Sequence, residues 1–234
     1  MHDSVQPDPV TQQLWARLNG VCEQLWGPLQ QQLAQQVGRE GLSMEVVGSI
    51  DSTNSELMRR ARMGQTDPMV LVAIDQTAGR GRMGKTWHST VGACLTFSVG
   101  LPLRPSDWSG LSLAVGVSVA ESLTGLLARQ VADANAQTPP SVQLKWPNDL
   151  WVGGKKLSGI LVETANAGGN RFVVIGIGIN ITPPAHLPAS APVSAGVSNG
   201  HAALPPAQPT GLAALVPTLD AADALAAVLP ALWA

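Results

Sequence analysis

A chain of 234 residues that is 45% hydrophobic holds enough apolar material for one sizeable core. Its formal net charge of -2 excludes a polycation that would bind nucleic acid by bulk charge. The opening MHDSVQPDPV is acidic rather than basic-then-apolar, and no uninterrupted apolar run approaches the ~20 residues that span a bilayer, so the expectation is a soluble cytoplasmic protein with no membrane partner.

Residues 11–37 repeat Leu14, Leu18, Val21, Leu25, Leu29 and Leu33 at helical spacing. Gly20 and the Gly27-Pro28 pair interrupt them, which predicts two helices or one kinked helix. SMEVVGSI then reads as a strand. DSTNSELMRRARMG starts a helix in which Thr53 and Glu56 have capping-box spacing, and Gly64 ends it. PMVLVAIDQ gives a short strand from about Met69 to Ile74, and ACLTFSVGLPL alternates as another. Residues 108–129 form a helix with Leu111, Val115, Val119, Leu123 and Leu126 on one side. QTPPS is a turn, and VQLKW is a strand stopped by Pro147. KLSGILVE and RFVVIGIGIN read as neighbouring strands joined by a hairpin loop at ANAGGN. The expected organisation is one α+β domain over 1–234 built on a mixed sheet, with its core at 45–182. A Pro/Ala/Ser/Gly-rich connection at 183–210 follows, then a C-terminal helical segment at 211–234 with two short helices around Pro217. Cys22 and Cys94 lack metal-ligand spacing and read as buried free thiols.

Four stretches carry chemistry. In GRGRMG, residues 79–84, glycine N–H groups can form a nest and the arginine forks can bind phosphate or carboxylate; the plainer alternative is a surface turn with solvated arginines. The pattern is neither a P-loop nor a dinucleotide loop. In KWPNDL, Asn148 and Asp149 sit at a strand end, either as an Asx-type turn or as a place where Asp149 helps hold a cation and Lys145 counters a phosphate. In GGKKLSGILVE, period two sends Lys155 and Lys156 opposite ways, and Lys156 borders an apolar run where it needs an anionic partner. Ser52, Thr53 and Asn54 lie at a strand-to-helix junction, either as caps or as partners of a neutral amide or ureido group. His2, His88, His186 and His201 form no triad order and no zinc spacing.

Taken in order, DSTN, IDQTAGRGRMGKTW, KWPNDL, KKLSGILVE and GIGIN resemble the catalytic domain of biotin protein ligases across about residues 45–182. The resemblance implies a mixed sheet packed with helices, the fold shared with lipoate ligases and similar to class II aminoacyl-tRNA synthetases. It implies that Ser52, Thr53 and Asn54 bind biotin, the first two facing the ureido ring, and that Gln76 contacts it as well. Arg80, Gly81 and Arg82 are similar to the core of the family's flexible biotin-binding loop. Trp87 matches the tryptophan that packs against adenine, and Lys156 the lysine that binds carboxylate and phosphate. Gly159 falls among the ligand contacts of the same block. Asn148 and Asp149 match the turn near nucleotide and metal, and Asn180 the asparagine that closes the nucleotide end. Arg80, Arg82, Lys156 and Asp149 are then the expected catalytic set, with Asp149 either a Mg²⁺ ligand or the group that orients the acceptor lysine.

The implied reaction is ATP-dependent formation of biotinyl-AMP, then transfer of biotin to a lysine of the biotin carboxyl carrier protein or domain of acetyl-CoA carboxylase. The implied ligands are biotin, ATP and Mg²⁺, and the implied assembly is a monomer or homodimer. A lipoyl or octanoyl transferase of the same fold would instead need a narrow apolar tunnel without the Ser52-Thr53 pair, and a non-catalytic biotin binder would release no pyrophosphate. About 40 residues precede the first block, too few for the winged-helix domain of many relatives, so no DNA partner is expected. The chain ends in LAAVLPALWA where many relatives continue into a small β-barrel-like domain, which fits a natural short form or a truncation.

Overall fold

The computed structural model describes residues 8–38, 41–103, 110–132, 139–167, 170–184 and 208–233. The first amphipathic stretch is a single helix, α1 (Pro9–Val37), with Pro28 inside it. Asp8 caps it by accepting from the Val10 and Thr11 N–H groups, and Gly38 closes it at φ 64°, a conformation that costs glycine little. Of the two forms the sequence allowed, continuity wins because Leu14, Leu18, Leu29 and Leu33 all bury on one side along its length.

Seven strands follow: β1 (Ser43–Ile50), β2 (Met69–Gln76), β3 (Cys94–Pro102), β4 (Gln143–Lys145), β5 (Asp149–Val152), β6 (Lys155–Ala167) and β7 (Asn170–Asn180). They form one sheet in the order β1-β2-β3-β7-β6-β5-β4. β1 and β2 run parallel, joined by α2 (Thr53–Arg62), and every other neighbour pair is antiparallel. The expected α+β class with a mixed sheet is therefore what the chain forms. The strand β5 was missed, because Asn148 and Asp149 read as a turn and the two glycines that follow obscure a four-residue strand. Within ANAGGN, Ala165, Asn166, Ala167 and Asn170 are strand rather than loop, and residues 168–169 lie outside the described ones.

Period-two alternation gives the sheet two different faces. Leu95, Phe97 and Val99 of β3, with Val173, Ile175, Ile177 and Ile179 of β7, point into the main core beneath α1, α3 (Leu111–Ala132) and α4 (Ala221–Val228). At one end of the opposite face, Leu57, Met58 and Ala61 of α2 pack on Leu71, Phe172 and Val174. Beyond them that face carries Thr96, Ser98, Gly159, Gly176 and Gly178, with the first turn of α2 lying over Ser98 and Gly176. By length and mean hydropathy alone α3 could cross a membrane, yet Val115, Val119, Leu123, Leu126 and Leu127 are buried in the core.

Two local expectations need correction. The cap of α2 is Ser52, not Thr53, and its hydroxyl accepts from Ser55 N; Glu56 lies beyond the cap's reach and binds Arg59 and Arg60 instead. Past the connection, whose residues 185–207 lie outside the described ones, the C-terminal segment holds a 3₁₀ turn (Leu212–Ala214), α4 and a second turn (Pro230–Leu232) rather than two α-helices. Cys22 and Cys94 are both buried and free, and burial pushes the Cys22 thiol up to about 11.

Candidate active site

This sheet face, α2's first turn and the GRGRMG loop enclose a cavity of about 310 Å³. Ser52, Thr53, Asn54, Gln76, Arg80, Gly81, Arg82, Trp87, Asn148, Asp149, Lys156 and Gly159 all line it. With Gly176 and Gly178 of GIGIN also in the lining, five separate sequence blocks converge, as strand ends on one side of a sheet must when their helix and loop partners sit above it. Asn180 is the exception: it is buried, and its amide reaches Lys156 O at 3.5 Å instead of the cavity.

The floor is made of glycine. On β7, GIGIN alternates so that Ile177 and Ile179 fill the core while Gly176 and Gly178 face the cavity. A Cβ at Gly176 would overlap Asn54 Oδ1, and one at Gly178 would overlap the Trp87 ring. At Gly159 a Cβ would lie 3.2 Å from the same ring. These three positions let an amide and an indole lie directly on the strands. Trp87 Nε1 is buried there without an acceptor among the described residues, a donor free for a ligand.

One end of the cavity is polar and uncharged. Gln76 Oε1 accepts from Thr53 N at 2.8 Å and from Thr53 Oγ1 at 3.1 Å. Thr53 Oγ1 lies 2.7 Å from Ser98 Oγ, which donates to Asn54 Oδ1 at 2.8 Å. The Asn54 amide nitrogen donates to Glu163 Oε2 at 2.9 Å. Both ends of the Asn54 side chain are therefore committed to protein, so it shapes the pocket rather than offering a free group. Gln76 Nε2 has no such partner among the described residues, and the Ser52 hydroxyl accepts only one long bond from Ser55 N, 3.4 Å. Ser98 and Glu163 were missed by sequence reasoning. Their only signal is parity, since Ser98 shares a face with Thr96, and Glu163 with Gly159.

The other end is cationic. Lys156 Nζ pairs with Asp149 Oδ1 at 2.8 Å, the anionic partner that its half-buried place requires, and lies 5.9 Å from the Trp87 ring centroid. Lys155 is exposed. The Lys156 backbone is clamped from outside the sheet: its N–H donates to Gln208 O at 3.2 Å and its carbonyl accepts from Thr210 N at 2.8 Å. Asn148 donates to Ile160 O at 2.9 Å and its carbonyl accepts from Ile160 N, so it acts as the turn that sets Asp149 in place. Asp149 is the one carboxylate among the described lining residues, and no group of three or more His, Cys, Asp or Glu side chains is placed to hold a metal among them. Asp149 is paired with Lys156, so a magnesium ion held there would need substrate phosphates beside this one carboxylate.

The loop closes on itself. Gly81 N donates to Lys85 O, Lys85 N to Arg82 O and Trp87 N to Gly79 O. Those N–H groups are spent on the loop, so its charges rather than a nest of these amides are what it offers an anion. Met83 takes φ 54° at the tip and is 92% exposed. The two arginines differ. Arg80 is paired with Glu163, at 2.9 and 3.2 Å, and approaches Ser55 Oγ. Arg82 is exposed and makes no ion pair among the described residues. Of the histidines, His88 is exposed, and His2, His186 and His201 lie outside the described residues.

With this geometry in view, the sequence matches the profile of the biotin/lipoate A/B protein ligase family over residues 46–180. It is 41% identical over 143 residues to the biotin–[acetyl-CoA-carboxylase] ligase of Mycobacterium tuberculosis, covering 59% of this chain and 49% of that protein. It is 40% identical over 145 residues to the bifunctional ligase/repressor BirA of Escherichia coli, covering 61% of this chain and 41% of that one. The chain thus spans less than half the length of either relative. Among solved structures it is similar to a biotin protein ligase from Aquifex aeolicus in complex with biotin and ATP, with a TM-score of 0.57, 27% identity, and coverage of 81% of this chain and 68% of that one.

Proposed function

This chain belongs to the biotin/lipoate A/B protein ligase family, and we propose that it is an ATP-dependent biotin–[biotin carboxyl-carrier protein] ligase. The observation that carries the reading is the cavity's division into a buried uncharged polar end and a cationic end. A ligand with a neutral hydrogen-bonding head and an acidic tail matches both. Gln76 Nε2 and the Ser52 hydroxyl are donors suited to a ureido carbonyl. An apolar lipoyl or octanoyl head would leave Ser52, Thr53 and Gln76 facing hydrocarbon, which costs free energy.

The chemistry follows from charge. A carboxylate is a poor electrophile and must be activated. Its oxygen attacks the α-phosphorus of ATP, an O–P bond forms, and pyrophosphate leaves with the electrons of the α–β bridge. Both reactants are anions, and Lys156 and Arg82 offset their repulsion. Asp149 holds Lys156 Nζ toward the cavity until ligand oxygens share it. Mg²⁺ carried on the ATP phosphates would supply further neutralisation. In the second step an acceptor lysine amine attacks the acyl carbon, AMP leaves with the C–O electrons, and the amine loses a proton. The acceptor is a biotin carboxyl carrier protein or domain. The reading carries with it one catalytic unit acting in the cytoplasm, as monomer or homodimer, without DNA.

The test is biotin-dependent exchange of labelled pyrophosphate into ATP, without acceptor. Exchange that requires biotin, ignores lipoate and drops about ten- to a hundredfold in Arg82→Ala is expected, the equivalent of losing one charge-assisted contact. Folded protein that binds biotin but shows no exchange would overturn the ligase reading in favour of a binder.

A further inference from the structure

Glu163 is not among the cavity's lining residues, yet it touches both the glycine-arginine loop and the polar end. Its two carboxylate oxygens hold the Arg80 fork, and Oε2 also accepts from Asn54. Asn54 in turn is bound to Ser98, Ser98 to Thr53, and Thr53 to Gln76. A continuous chain of hydrogen bonds therefore runs from the loop arginine to the buried amide. We infer that Glu163 is a positioning residue: it docks the glycine-arginine loop against the polar end and fixes the Asn54 amide, so that loop and pocket are set together. This deepens the ligase reading and rests on it for the identity of the ligand.

Three features support a positioning role. The Arg80–Glu163 contact is bidentate, the geometry that restricts a guanidinium most. Glu163 is 22% exposed at its side chain while Arg80 is 48% exposed, so the carboxylate is the fixed member and the arginine the recruited one. The strand beneath fixes Glu163 in turn, opposite Val174 in the β6–β7 register. Elsewhere among the described residues the loop meets the body at its base, where Ala78 N donates to Asp51 O, at Ser55 Oγ, which Arg80 approaches, and where Trp87 lies on the glycine floor.

The test uses the full chain and two readouts. The first needs no ligand. Trypsin cuts after Arg80 and after Arg82, and Arg82, which has no ion pair among the described residues, is an internal reference. In Glu163→Gln the ratio of cleavage at Arg80 to cleavage at Arg82 should rise severalfold, and Glu163→Asp should restore part of it. A general loss of stability would raise both cuts together. An unchanged ratio in both variants would overturn the inference. The second readout is biotin affinity by calorimetry across Glu163→Gln, Arg80→Ala and the double variant. About a tenfold loss in each single variant, with no further loss in the double, supports a shared function; multiplicative losses would overturn it. Should the unmodified chain fail to bind biotin, the ligase reading falls, and the tryptic ratio still decides the role of Glu163.

Discussion

The two ends of the cavity are built on opposite terms. The polar end is buried, sits on strands and a helix start, and has nearly every hydrogen bond made before any ligand arrives. The cationic end is partly exposed, and one of its charges, Arg82, stands on a loop with no protein anion among the described residues. The difference reflects what burial allows. Neutral polar groups can be closed into a dry network at small net cost once each has a partner. A buried charge without a partner costs far more, so cations that must meet an anionic substrate stay near water or carry a stand-in such as Asp149. Shape selectivity therefore belongs to the first end and charge neutralisation to the second.

That contrast can be broken most forcefully at Lys156. In Lys156→Met the Asp149 carboxylate loses its partner and the reacting anions lose a cation, so pyrophosphate exchange should fall at least a hundredfold, about 3 kcal/mol or more. Gly211→Ala approaches the same lysine from behind. A Cβ there overlaps Ile181 O and must shift the segment whose Gln208 and Thr210 grip the Lys156 backbone. A tenfold loss of exchange with biotin affinity kept would place the effect at the cationic end. The opposite split is expected of Gly176→Ala, which displaces Asn54: biotin affinity should fall by tenfold or more in calorimetry, an overpacking cost of about 1–3 kcal/mol. Ser98→Ala comes next. It leaves Asn54 Oδ1 without its donor, so melting should report a loss of about 1–2 kcal/mol together with a severalfold loss of biotin affinity.

The same contrast explains what could be read without coordinates. Charged and glycine-rich blocks such as GRGRMG and KKLSGILVE announce themselves because their residue types are costly anywhere but a site or a turn. The strands of the core were legible from alternation, and Lys156's need for an anion followed from its apolar neighbours. The polar network was not legible. Ser98 looks like any strand serine and Glu163 like any end to an apolar run, and only the register β3-β7-β6 brings them to Asn54. Nor could sequence separate Arg80 from Arg82, which differ by a contact made 83 residues away. The strand β5 and the Ser52 cap went astray for a local reason: short polar residues serve turns, caps and strand ends alike.

Asp51 draws the boundary of the network, and its change should have the smallest effect. It precedes the α2 cap, accepts from Ser52 N at 2.7 Å and pairs with Arg59, whose hydrogen bond is the main reason that its carboxyl falls from the ordinary 3.8 to about 2. A carboxyl depressed by folding stabilises the fold fully above its unfolded value, and the contribution fades as the pH drops through the folded one. Asp51→Asn should therefore lower stability at neutral pH, flatten the acid limb between about 4 and 2, and make no difference below it. Both partners are exposed, 42% and 45% at the side chain, so solvent screening keeps the loss under about 1 kcal/mol. Biotin affinity should stay within twofold, because Asp51 touches neither Thr53, Gln76 nor Ser98. A loss as large as that of Ser98→Ala would mean that the outer face of α2 belongs to the network, and that the polar end is held from solvent inward rather than from the sheet outward.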